Sequence, residues 1–172
     1  MANPLYGQNK ADSKLSNVVS PDITLQSGTA AEDLSGVKQD LIWYSTGTQA
    51  GNITLPQATS SNAGMVIKII AGANWSGTAF KLGFAASGNT VMVGNINVMT
   101  LDANSAAVGF AITASAKHLV IDSDAVATAG GAKGSTYTFT YLAADLVHVE
   151  AIAYITTGTV ATTAAASLTA GI

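Results

Sequence analysis

The chain has 172 residues, of which 48% are hydrophobic and only 10% charged, with a formal net charge of -3. This length suits one compact domain, but a charge content far below the ~25% of an average soluble domain cannot supply the mixed charged surface that keeps monomers apart. Oligomerisation follows, with partner subunits covering much of the outer surface, and nucleic acid is excluded as a partner because all seven cations are lysine, giving neither guanidinium fork nor basic patch.

Other classes fall away as well. Gly, Ser, Thr, Asn or Asp interrupts every apolar run before the ~18–20 residues needed to span a bilayer, so no membrane contact is expected. The first ten residues have neither a basic start nor an apolar core, so no secretory signal is read and synthesis in a cytoplasm is expected. Without cysteine there is no disulfide framework and no thiolate metal site.

In chain order, residues 1–36 are polar and rich in turn signals such as Asn3-Pro4, Ser20-Pro21-Asp22 and Gln26-Ser27-Gly28. This segment is expected to be an extended arm, the alternative being a disordered terminus. Its small apolar groups, Leu5 with Tyr6 and Leu15 with Val18 and Val19, are the candidate contacts with a neighbouring subunit. At most one short helix or turn is expected, near residues 29–34.

From residue 37 to 156 the chain is a series of short β-type runs punctuated by Gly, Asn and Ser. About ten strands are predicted, over 39–44, 52–55, 65–70, 80–84, 90–93, 97–101, 107–113, 118–121, 136–142 and 146–156. The clearest is Thr136-Tyr137-Thr138-Phe139-Thr140-Tyr141, where aromatics and threonines alternate with the period of two of a half-buried strand. Alanine is abundant, yet no window carries a sustained helical stripe with caps. Many short strands separated by turn signals predict an all-β fold, an antiparallel β-sandwich of jelly-roll type. Residues 157–172 carry no charge and are expected to be a covered tail or edge strand, since an exposed β-prone tail invites aggregation.

The run from Asn52-Ile53-Thr54-Leu55-Pro56 through Ala63-Gly64-Met65-Val66-Ile67-Lys68-Ile69-Ile70 has its own logic. Pro56 cannot donate to a ladder and ends a strand, a small-residue loop crosses one end of the sandwich, and Gly64 supplies a permissive turn before a buried strand. This run, with Gly88-Asn89-Thr90-Val91 and the aromatic strand at Tyr137–Tyr141, resembles the pattern of tailed-phage virion proteins, in particular capsid decoration (cement) proteins. The resemblance covers roughly 40–93 clearly and 136–154 weakly, and head fibres and tail fibre modules share it. It implies a homotrimer bound to the major capsid protein on the virion exterior, bridging neighbouring capsid subunits, with no enzymatic activity and no cofactor. The other reading it leaves open is a carbohydrate-binding or structural module of a head or tail fibre.

Chemistry-bearing residues are few. His148 and Glu150 share one face of a predicted strand with Asp145 just before them, but one His and one carboxylate fall short of a ligand set or triad. His118 has no sequence partner and is read as structural. Asp122-Ser123-Asp124 lacks the Gly and distal Glu of a calcium loop and is read as a turn, as are Asp102 and Asn104. In Gly130-Gly131-Ala132-Lys133-Gly134-Ser135 the Lys precedes the last Gly and a β-run follows, the reverse of a phosphate loop. Cupin chemistry needs clustered histidines, and only two exist here. Trp75, among the turn residues Asn74 and Ser76, is either a partner anchor or sugar platform or a ring folded over the core. The sequons at Asn52 and Asn74 are read as coincidental, no secretory signal being present.

Overall fold

A computed structural model describes residues 22–26, 30–75, 80–100, 107–112, 115–121 and 130–156. In chain order its strands are β1 (Asp22–Gln26), β2 (Glu32–Asp33), β3 (Leu41–Ser45), β4 (Ile53–Leu55), β5 (Val66–Ala71), β6 (Phe80–Phe84), β7 (Val91–Thr100), β8 (Val108–Ala111), β9 (His118–Ile121), β10 (Thr136–Ala143) and β11 (Leu146–Ile155), with one 3-10 turn at Ser60–Asn62. The all-β expectation is met.

The strands form a seven-stranded sheet, ordered β1-β3-β5-β10-β11-β7-β8, and a four-stranded sheet, ordered β2-β4-β6-β9. Up to β7 the chain alternates between the two: each strand of the larger sheet is followed by one of the smaller. An excursion to the opposite sheet and back returns the chain in its original direction. Successive strands within a sheet are therefore parallel, β1 to β3 to β5 in one and β2 to β4 to β6 in the other. A parallel pair always needs such a crossover, and here a strand of the facing sheet provides it. Antiparallel pairing enters with β10, which joins β5 to β11, and with β6–β9 and β7–β8. The expected antiparallel sandwich of jelly-roll type is thus corrected to a pair of mixed sheets.

Three further corrections concern boundaries. Strands β1 and β2 lie within the segment expected to be an arm, β1 pairing with β3 at the edge of the larger sheet. Near 29–34, where at most one short helix or turn was expected, Glu32–Asp33 pairs with β4 and the turn comes just after it, the Val37 amide donating to the Leu34 carbonyl at 3.0 Å. The runs 90–93 and 97–101 are one strand, β7. Its interruption, Gly94-Asn95, reads as a turn but lies inside the ladder: Gly94 has φ +134, and a Cβ there would sit 2.0 Å from the Val149 carbonyl oxygen of β11. Only glycine allows that approach.

Alternation places the core. In β3, β5 and β10 every second residue is buried, giving Leu41, Trp43, Ile67, Ile69, Tyr137, Phe139 and Tyr141 on the inner face. The smaller sheet answers with Ile53, Leu55, Phe80, Leu82, Phe84, Leu119 and Ile121. Aromatic rings join the layers: Phe84 of β6 meets Tyr141 of β10 edge-on at 6.4 Å, while Trp75 packs on Trp43, Phe80 and Tyr137 at 6.4, 5.3 and 6.1 Å. Such contacts between rings are worth ~0.5–1.5 kcal/mol each beyond area burial.

The Pro56 motif crosses from one sheet to the other. β4 stops at Leu55, the Tyr141 hydroxyl donates to the Pro56 carbonyl at 3.0 Å, and Gly64, at φ +90, donates its amide to the Tyr141 carbonyl at 2.7 Å before β5 begins. Thr90 seals the same end, its hydroxyl accepting the Ala58 amide at 2.8 Å.

Burial holds the phenols of Tyr137 and Tyr141 protonated well above the ordinary tyrosine value of 10.0. A folded-state pKa raised above the unfolded one stabilises the fold fully at pH values below 10, and that contribution is lost as pH rises beyond it. Stability should therefore fall above pH 10, by at most about 1.4 kcal/mol per pH unit for each phenol. Thermal melts at pH 9 and pH 11, with phenolate absorbance followed in parallel, check this: phenolate from these two rings should appear only with unfolding.

Candidate interaction surface

The residues between the buried ones form the outer face of the seven-stranded sheet, and strand register places them in rows. One row runs Ile23, Ile42, Lys68, Thr138, Glu150, Asn95 and Ala111; the next runs Tyr44, Ile70, Thr136, Ile152, Asn97 and Gly109. Beyond them lie Val66, Thr140, His148 and Val93. Among the described residues of these three rows only Lys68, Glu150 and His148 can carry charge near neutral pH. Thr138 separates Lys68 from Glu150, so their backbones stand two strand spacings, roughly 10 Å, apart. The rest is threonine, asparagine and aliphatic side chain.

Two large aliphatics on this face are open to solvent, Ile23 at 67% and Ile152 at 43% exposure. Ile152 borders a shallow trough of about 320 Å³ across β10, β11 and β7, lined by Asn95, Asn97, Thr136, Thr138 and Glu150. Six strand spacings of ~4.8 Å make the face roughly 30 Å wide, and strands of four to ten residues make it roughly 13–33 Å long. Its area is then on the order of 700 Å², close to the ~800 Å² that each partner contributes to a standard protein interface.

The residues singled out in the sequence are dispersed. Leu5, Tyr6, Leu15, Val18 and Val19 lie outside the described residues, as do Asp102, Asn104, Asp122, Ser123 and Asp124. Trp75 is 2% exposed and packs among three core rings. His148 and Glu150 do share the outer face, but Asp145 serves the β10–β11 turn with φ 60, its amide donating to the Ala58 carbonyl and its carbonyl accepting the Val91 amide. Among the described residues no three His, Cys, Asp or Glu side chains gather as metal ligands.

In the glycine-rich loop the amides are used inside the fold: Ala132 donates to Tyr154, Gly134 to Ala71, Ser135 to Ala132, and Lys133 to the Asn74 side chain. None of these four is left to cradle a phosphate. Asn52 is likewise structural, its Oδ1 accepting the Lys81 amide at 2.8 Å. Among the described residues no helix is long and apolar enough to cross a membrane.

Residue-by-residue reading of the sequence did not find the outer face, whose signal is collective. The polar positions of the alternating runs hold Thr, Asn and aliphatics where a solvated sheet would hold Lys and Glu. Compared with family models, curated proteins and solved structures, the chain matches none.

Proposed function

We propose that the chain is a non-enzymatic structural subunit whose seven-stranded sheet lies against other subunits of a larger particle. The observation that carries this reading is the broad, charge-poor outer face with Ile23 and Ile152 exposed upon it. A broad face with so few charges, its exposed aliphatics set among threonines and asparagines, suits contact with another subunit better than contact with solvent alone.

In its specific form the reading is a decoration protein on the exterior of a tailed-phage capsid, a homotrimer contacting the major capsid protein. The mechanism is thermodynamic. A subunit that binds only the assembled shell stabilises that state by mass action, and contacts bridging neighbouring capsomers raise the load the shell withstands. Fibre modules share the same sequence pattern, but Trp75, the side chain on which sugar binding would lean, is committed to the core.

Electron cryo-microscopy of the particle that carries the chain tests the proposal. The expected result is density for the paired sheets on the outer shell, with the β10–β11–β7 face against a neighbour. Density in a fibre, or an outer face open to solvent, would overturn it.

A further inference from the structure

The outer face of the smaller sheet holds a different feature. Register places Asp33, Thr54, Gly83 and His118 in one row across β2, β4, β6 and β9. Gly83 has no side chain to contribute, and a Cβ there would come within 2.4 Å of the Lys117 carbonyl oxygen and 2.5 Å of the His118 Cα. The Lys117–His118 backbone thus fills the place a Gly83 side chain would take, and it forms part of the wall of a hollow beside Thr54 and His118. The hollow measures about 190 Å³, and its polar lining is Asn52, Thr54, Lys81, Lys117 and His118.

These groups are disposed to donate. The Lys117 ammonium is anchored by the carbonyls of Ala86 at 3.2 Å and Gly88 at 2.8 Å, which leaves one of its three protons uncommitted. The Asn52 carbonyl oxygen is engaged by the Lys81 amide, leaving its amino group as the donor. Thr54 offers a hydroxyl, and Lys81 is an exposed ammonium. No carboxylate lines the hollow among the described residues, and Asp33, further along the row, accepts the Ser35 amide at 2.9 Å. Two lysines lining one hollow with no carboxylate beside them call for an acceptor of negative charge. A volume below the ~300–1,000 Å³ of ordinary small-molecule sites limits that acceptor to a small group.

We propose that this hollow is an oxyanion site taking one carboxylate-sized or phosphate-sized group, with Lys81 and Lys117 as counter-charges and Asn52 and Thr54 as neutral donors. The group comes either from a free anion or from an acidic side chain of a neighbouring subunit. His118 adds a pH dependence. Burial, then the charge of Lys81, lowers its pKa, so it gains its proton only as pH falls. The charged groups on the elements around it are Lys81 on β6, Lys117 just before β9 and, further along the row, Asp33 on β2. Anion binding should tighten toward pH 5.

Sulfate and acetate titrations of the full chain, followed by the ring signals of both histidines in NMR spectra, test the site. Sulfate keeps its charge over this pH range, and His148, on the outer face of the other sheet, is an internal control. Saturable shifts at His118 alone are expected, weakened about tenfold or more in Lys81→Met, the loss of one charge-assisted hydrogen bond. Lys81 is exposed, so that variant keeps the fold; Lys117→Met, which also frees two carbonyls, is the second variant. Equal, unsaturable shifts at both histidines would reduce the effect to screening and overturn the proposal, as would unchanged affinity in Lys81→Met. Titrating a dissociated form such as Ile152→Lys beside the assembled wild type separates the two sources. Binding to both forms identifies a free anion, and binding only to the dissociated form identifies a neighbour's carboxylate. Binding to neither overturns the site while leaving the proposed assembly standing.

Discussion

Replacing Trp75 with alanine lowers the folding stability by about 3–5 kcal/mol, the range for removing a large aromatic from a packed core. The ring is 2% exposed and touches Trp43, Phe80 and Tyr137, which come from both sheets, so its removal opens a cavity where the layers meet. Neighbours held by their own strands can collapse into that space only partly. Against a total stability of roughly 5–15 kcal/mol for a domain, the variant should lose a large part of its margin. Urea denaturation followed by far-ultraviolet circular dichroism measures this as a lower midpoint at unchanged slope. A loss within about 0.5 kcal/mol, the usual span for surface substitutions, would mean that Trp75 belongs to the surface.

Replacing Ile152 with lysine gives the opposite pattern, with assembly lost and the fold kept. Ile152 is 43% exposed and flanked in its row by Thr136 and Asn97, so a long polar side chain can reach solvent in the isolated subunit. Stability should change by no more than about 0.5 kcal/mol. Where a second subunit covers the face, the same ammonium is buried with only Glu150, two residues away on the same strand face, within reach, and desolvating it costs on the order of 3 kcal/mol or more. That is a weakening of association by two orders of magnitude or more. Thermal melting at a dilution where the wild type is also dissociated, beside a sizing measurement at high concentration, separates the effects: an unchanged melt with lost assembly is expected, and intact assembly would clear this face of any role.

Much of the architecture is legible in the sequence because burial has a period and pairing direction does not. Thr136 to Tyr141 announces its buried face through strict alternation, and Phe80–Phe84 and His118–Ile121 coincide with their predicted runs. Parallel stacking of β1, β3 and β5 leaves no such mark, since it depends on where the chain goes between strands. Asp22–Gln26 was hidden by its surroundings: five residues among turn signals become a strand only because β3 offers an edge. Gly94 misled for a related reason, a glycine inside a ladder and a glycine in a turn being the same letter.

The surface divides similarly. Low charge raises the expectation of a covered face without locating one, and only the register shows that Ile23 and Ile152 lie on the same broad face while Lys81, Lys117 and His118 gather on the opposite sheet. A histidine with no sequence partner acquires neighbours once β6 and β9 pair. Trp75 had two readings in sequence because its flanking turn residues suit a loop over either surface or core, and packing selects the core.

Light scattering of the purified chain during size-exclusion chromatography, over a range of concentrations, tests the proposed covering of this face most directly. The expected mass is three times the 17.2 kDa of one chain, falling to a single chain in Ile152→Lys. A wild-type protein that stays at 17.2 kDa at every concentration and remains soluble would contradict the self-association on which the account rests.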